Sequence, residues 1–159
     1  MVERRDIGSW LAGPPLGDPA RERGEITHRG ARLGLPAEGS GALAGTGRRV
    51  VAVLVDWMLC QLIASAFLGY QLGHNTGAQT FAPLAVFAVE NLLMIATLGH
   101  TIGHRLLGMR VVAPSRGYVG VVRAFIRTLL LVLVIPAVVW DADGRGLHDK
   151  AAGTLLVRT

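Results

Sequence analysis

Charge is scarce in this chain and cysteine is nearly absent. Asp, Glu, Lys and Arg make up 17% of the 159 residues against 51% hydrophobic residues, and the charges that exist stand at the flanks of apolar runs. That composition excludes an ordinary soluble core and fits a membrane protein. The single cysteine, Cys60, lies inside an apolar run, which excludes a disulfide framework and a Cys-rich zinc site and makes packing its expected role. The charged start, residues 1–6, is followed by no apolar stretch, so no cleaved signal peptide is expected and the first apolar run inserts as itself. A basic groove interleaved with aromatics is also missing. The excess of 16 Lys+Arg over 11 Asp+Glu therefore points to anionic lipid headgroups rather than to nucleic acid.

Three apolar runs are present. Residues 50–68 would rise roughly 28 Å as a helix, close to the thickness of the hydrocarbon layer. Residues 81–98 reach as far, with Pro83 in the first turn, where a missing amide donor costs little. The third is shorter: its uninterrupted part, residues 128–140, covers about 20 Å, and extending it back to Val119 takes in Arg123 and Arg127. It is expected to be short, tilted or re-entrant. The first 47 residues, rich in Gly, Pro, Ala and mixed charge, read as a flexible tail before a membrane domain at 48–159.

Orientation follows from the short connections. Residues 70–80 carry no Lys or Arg, whereas residues 99–120 carry Arg105, Arg110 and Arg116, and Arg48 and Arg49 precede the first run. The N-terminus and second connection are therefore expected in the cytoplasm. Two turn-bounded aliphatic segments, residues 109–113 and 154–158, read as paired strands. Their pairing requires the third segment to bend near Pro136 and return the tail to the same face.

The acids inside the runs, Asp56 and Glu90, are costly in hydrocarbon and usually meet a partner or a hydrated path. Counting from the helix ends puts Asp56 about 10 Å and Glu90 about 12 Å deep, at one level. They could share a proton, hold a cation, or accept from a base such as Arg49, seven residues before Asp56 and on its helical face. A structural role, with Asp56 paired to an arginine and Glu90 to another donor, stands beside these readings.

Four segments in order, RRVVAVLVD (48–56), GHTIGHRLLGMRVV (99–112), VRAFIR (122–127) and GRGLHDKAAGTLLV (144–157), resemble the RDD family over residues 47–157. The resemblance implies a small multi-pass membrane protein whose name refers to an Arg at the start of the first transmembrane helix and two Asp residues. By position these are Arg49, Asp56 and, as the second Asp, Asp149, with Asp141 as runner-up. Function in that family is mostly unassigned, with transport suggested, including cation/proton exchange for some members. The chain departs from the family pattern at His104, a position commonly Lys, and in the short apolar stretch before the last segment.

His100 and His104 would share a face if helical, the spacing of a two-imidazole zinc site, but Thr101 stands where a metalloprotease motif needs its Glu. A basic or headgroup-level role is expected instead, with no metal or cofactor. Gly99 and Gly103 have a small-xxx-small spacing, read here as a turn. Arg105, Arg123 and Arg127 are expected at lipid phosphates, with Arg127 or Arg49 drawn in toward Asp56 as the alternative. Asp149 is expected to cap the following turn or to bridge to Arg110. Ser65 and Ser115 lack a triad context, so no enzyme is expected. The fold class is therefore an all-α membrane protein: a small bundle of about three transmembrane or re-entrant helices, with a short cytoplasmic strand pair. Its function is either a transport component, which needs a homo-oligomer or another membrane partner for room, or a non-transporting accessory that recruits a partner through its basic face.

Overall fold

A computed structural model describes His28 and residues 30–115, 117–133 and 145–159. The expectations placed on residues 1–27, Arg116, Pro136 and Asp141 lie outside the described residues. The long helices come first: α1, Thr46–Leu68, and α2, Ala82–Thr97, preceded by a 3-10 turn over Gly77–Phe81. Then follow α3, Ile102–Leu106, β1, Met109–Val112, α4, Val121–Val132, α5, Leu147–Ala152, and β2, Leu155–Arg158. Pro83 sits in the first turn of α2 as expected. Gly69, at φ +67°, ends α1 in the left-handed conformation that favours glycine.

The helices are inside out. Along α1 the buried side chains are Arg49, Ala52, Asp56, Cys60 and Ala64, a narrow stripe of small and polar residues three or four apart. Leu54, Met58, Leu62 and Phe67 point outward with more than half of their surface exposed. On α4, Arg127 and Thr128 face inward while Val122, Phe125 and Leu129 face outward. The apolar stretches at Thr46–Leu68 and Gly77–Thr97 are long enough to cross a membrane, and only 22% and 28% of them is buried. A soluble core helix would bury most of such a stretch, so the pattern points to a membrane location. α4, at 12 residues, spans about 18 Å and does not cross by itself.

The expected strand pair is present. β1 and β2 are antiparallel, with Met109 opposite Arg158 and Val112 opposite Leu155. The segment before α1 joins the other edge of β2: Ala44 N donates to Leu156 O at 2.9 Å, Arg158 N donates to Ala42 O at 2.9 Å, and Leu43 bridges Val157. The start of α1, the end of α2 and both strands thus share one end of the bundle. This corrects the reading of a tail running to residue 47. Residues 31–33 form a 3-10 turn, and Leu35 is buried against Leu155 and Val157, because the sheet edge needs both backbone partners and apolar cover.

Candidate functional site

Asp56 is committed to a neighbouring segment. Its Oδ1 accepts from Gly103 N at 2.6 Å and its Oδ2 from the Thr101 hydroxyl at 2.6 Å, so both oxygens hold the start of α3 against α1. The same turn is closed by a reciprocal cap: His104 N donates to Thr101 Oγ1 at 3.2 Å, and Thr101 N donates to His104 Nδ1 at 3.3 Å. Close approach is possible because position 103 is glycine. A Cβ there would collide with the Ala52 carbonyl oxygen and lie 2.9 Å from Asp56 Oδ1. Gly99 is the turn, at φ +75°; Gly103 is the contact point, a role read from the sequence as a second turn.

Asp149 is the centre of the buried charge. Arg49 Nη1 donates to its Oδ2 at 3.2 Å and Arg127 Nε to its Oδ1 at 2.8 Å, while Thr154 Oγ1 adds a bond to Oδ1 at 3.2 Å. His148 Nε2 lies 3.6 Å from Oδ2. Burial pushes this carboxyl up, but Arg127, followed by His148 and Arg49, outweighs burial and holds it at about 2. Arg49 also donates to the Ala44 carbonyl at 2.9 Å. Three expectations are corrected. Arg49 turns to Asp149 rather than Asp56. Asp149 bridges two interior arginines, not Arg110 at the surface. Arg127 is 2% exposed and paired, not at a lipid phosphate. The cause is common: two guanidiniums brought inside need a carboxylate within reach, and α5 supplies it.

Glu90 meets α1 at Cys60, whose thiol donates to its Oε2 at 3.5 Å. Cys60 is one turn, about 6 Å, further along than Asp56. Asp56 still acts on Glu90 electrostatically, and the backbone of Ile102 in α3 reaches Glu90 beside the Thr101 and Gly103 contacts to Asp56. Glu90 Oε1 is buried without a hydrogen-bond partner among the described residues. Cys60 is fully buried and so packs as expected, with this added polar contact. The next residue on α2, Asn91, is 1% exposed and donates back to Phe87 O at 3.1 Å. The sequence reading missed it; an amide in a spanning helix beside an acid is the signal that could have found it.

Between α1, α2 and α4 lies a cavity of about 480 Å³. Arg49, Asp56, Asn91, His104, Arg127 and His148 are its polar lining residues; the apolar ones include Trp57, Leu84, Phe87 and Leu131 and the exposed Val50, Val53 and Leu54, so the cavity opens on the outer face of α1. Glu90 is not on the wall. The Trp57 and Phe87 rings meet edge to face at 5.9 Å at the deep end. Along α1 the lining residues 49, 50, 53, 54, 56 and 57 extend about 12 Å, with Arg49 at one end and Asp56 next to Trp57 at the other.

The remaining expected residues separate. Arg105 and Arg123 are exposed. His104 is buried, and burial first, then the Arg127 charge, lowers its imidazole to about 3. It is thus a neutral cap instead of a basic surface group. His100 precedes the cap residue Thr101, so the four-residue spacing does not put the two imidazoles on one helical face. Among the described residues, no three His, Cys, Asp or Glu side chains gather as metal ligands would.

No curated protein and no solved structure matches the chain. The RDD family profile does, over residues 43–153. That span contains Arg49, Asp56, α3, β1, α4 and Asp149, so nearly the whole of the buried network just described is what the match covers, and the chain belongs to the RDD family.

Proposed function

We propose that the protein is a multi-pass component of small-solute transport in the cell membrane, with its N-terminus in the cytoplasm and no enzymatic activity. The observation that carries this reading is the cavity of about 480 Å³, a size typical of small-molecule sites. Buried charged side chains and apolar ones share its wall, and it opens toward the outer face of α1, which suits lipid. A cation or proton route through Asp56 and Glu90 has weaker support. Both Asp56 oxygens are occupied, and Glu90 stands off the cavity wall. Since a cavity of about 480 Å³ among three short helices is one small-molecule site and not a path across a bilayer, the transporting unit is a homo-oligomer or includes another membrane partner.

A second reading, a non-transporting accessory, is favoured by the closed Arg49–Asp149–Arg127 network, which fixes the fold without moving anything. Purified protein in liposomes separates the two. Currents are recorded on a supported membrane under proton, sodium and potassium gradients and with small organic acids, for the native chain and for Val53→Trp. Val53 is 37% exposed and lines the cavity, so the indole fills space without touching the ion network. Solute-driven current that Val53→Trp removes is the expected result. Silence of the native protein with every solute would leave the accessory reading.

A further inference from the structure

A second cavity, of about 360 Å³, lies at the sheet end of the bundle and is lined by Leu98, His100, Arg105, Met109, Arg110 and Thr159. We propose that it binds the phosphate group of an anionic lipid headgroup. Arg105 comes from α3 and Arg110 from β1, and no Asp or Glu side chain lines the pocket. His100 adds an Nδ1 that is buried with no hydrogen-bond partner among the described residues, a polar atom in want of a ligand. Two guanidiniums and an imidazole converging from three segments form a donor set suited to phosphate oxygens.

The architecture holds that donor set in place. Gly99 has φ +75°, and a Cβ there would sit 3.2 Å from Arg110 Nε and 3.1 Å from the Val111 carbonyl oxygen. Glycine at this turn therefore leaves the passage along which the Arg110 side chain runs. Among the described residues the exposed side-chain charge is mostly positive. Among the described residues the acids are Glu38, Asp56, Glu90 and Asp149, and Glu38 alone is exposed, whereas Arg48, Arg105, Arg110, Arg123 and Lys150 are all exposed. Free phosphate has the same chemistry as a headgroup, but Leu98 decides between the sources. It is 49% exposed, lines the pocket and ends α2, whose Leu93 is likewise exposed and apolar. An acyl chain leaving the pocket would continue along that face.

The full-length protein in detergent is titrated with dioctanoyl phosphatidic acid, dioctanoyl phosphatidylcholine and inorganic phosphate, and binding is followed by thermophoresis. Phosphatidic acid should bind on the order of tenfold more tightly than phosphatidylcholine, and Arg105→Gln with Arg110→Gln should weaken it about tenfold or more, as expected for the loss of two charge-assisted bonds. Arg123→Gln, exposed but outside the pocket, should cost less than about twofold because it removes only screened surface charge. Arg105→Gln alone, at an exposed position, keeps the test valid if the double variant does not fold, and should cost about threefold. Equal affinity for the two lipids overturns the proposal, as does an equal loss in Arg123→Gln. Inorganic phosphate binding as tightly as phosphatidic acid would assign the pocket to the free ion and overturn the lipid source.

Discussion

Asp149 holds two arginines in a place where neither could otherwise remain charged at low cost. Removing the charge of the shared carboxylate leaves both guanidiniums buried and uncompensated, so Asp149→Asn should destabilise the fold by about 3–5 kcal/mol, read as loss of the folded fraction in detergent-solubilised urea titrations. Asp56→Asn should cost less, because the amide oxygen can still accept from Gly103 N. The pH dependence has a definite sign. Asp149 has its carboxyl lowered to about 2 from an ordinary 3.8, so its contribution is complete above about pH 4 and is lost as pH falls toward 2. His104 is lowered from 6.5 to about 3; its neutral form is the folded one, and stability declines from about pH 6.5 down to 3 as the unfolded chain takes up the proton. A urea midpoint flat between pH 7 and 4 would contradict the His104 assignment. The sequence made Arg49 and Asp149 visible as members of one motif. It could not show them touching, because they are 100 residues apart and no helical or strand period carries information over that distance.

At the level of elements, the docking of α3 on α1 rests on one missing methyl group. Gly103 is helical, where alanine would ordinarily gain about 1 kcal/mol. The clash with the Ala52 carbonyl and Asp56 reverses that sign, and Gly103→Ala should destabilise by about 1–3 kcal/mol. A variant with an unchanged or raised urea midpoint would show that α3 can lift away freely. The strand pair was legible because both segments are short, aliphatic and bounded by turn residues, and their pairing fixed the end of the bundle to which the tail returns. The third edge of the sheet was not legible. Residues 41–44 look like linker by composition, and only the unpaired edge of β2 makes them structural. The inward face of α4 was legible in principle: Ala124, Arg127, Thr128 and Leu131 recur at helical spacing. Reading Arg127 as a headgroup contact assumed that a charge near a helix start faces out.

For the molecule as a whole, the inside-out packing and the family point to a membrane location, and the sheet ties the segment before α1 and the segment after α5 to one side. Reporters fused before residue 28 and after Thr159 should therefore be active in the same compartment, and opposite results from the two fusions would refute the shared end. The charge asymmetry of the short connections was enough to propose which compartment that is. The depth match between Asp56 and Glu90 was less informative, since counting residues gives distance along a helix axis but not which neighbour each side chain meets.

The position of Asp149 in the chain also sets an order for biosynthesis. Arg49 leaves the ribosome first and Arg127 follows, and their shared carboxylate is translated only 22 residues after Arg127, within the span that a ribosome tunnel conceals. Until Asp149 emerges, the nascent chain therefore carries two guanidiniums without this counter-charge. A message truncated before Asp149 would yield a polypeptide that has its long helices but leaves Arg49 and Arg127 without their shared carboxylate, and it should accumulate to a lower level than the full chain.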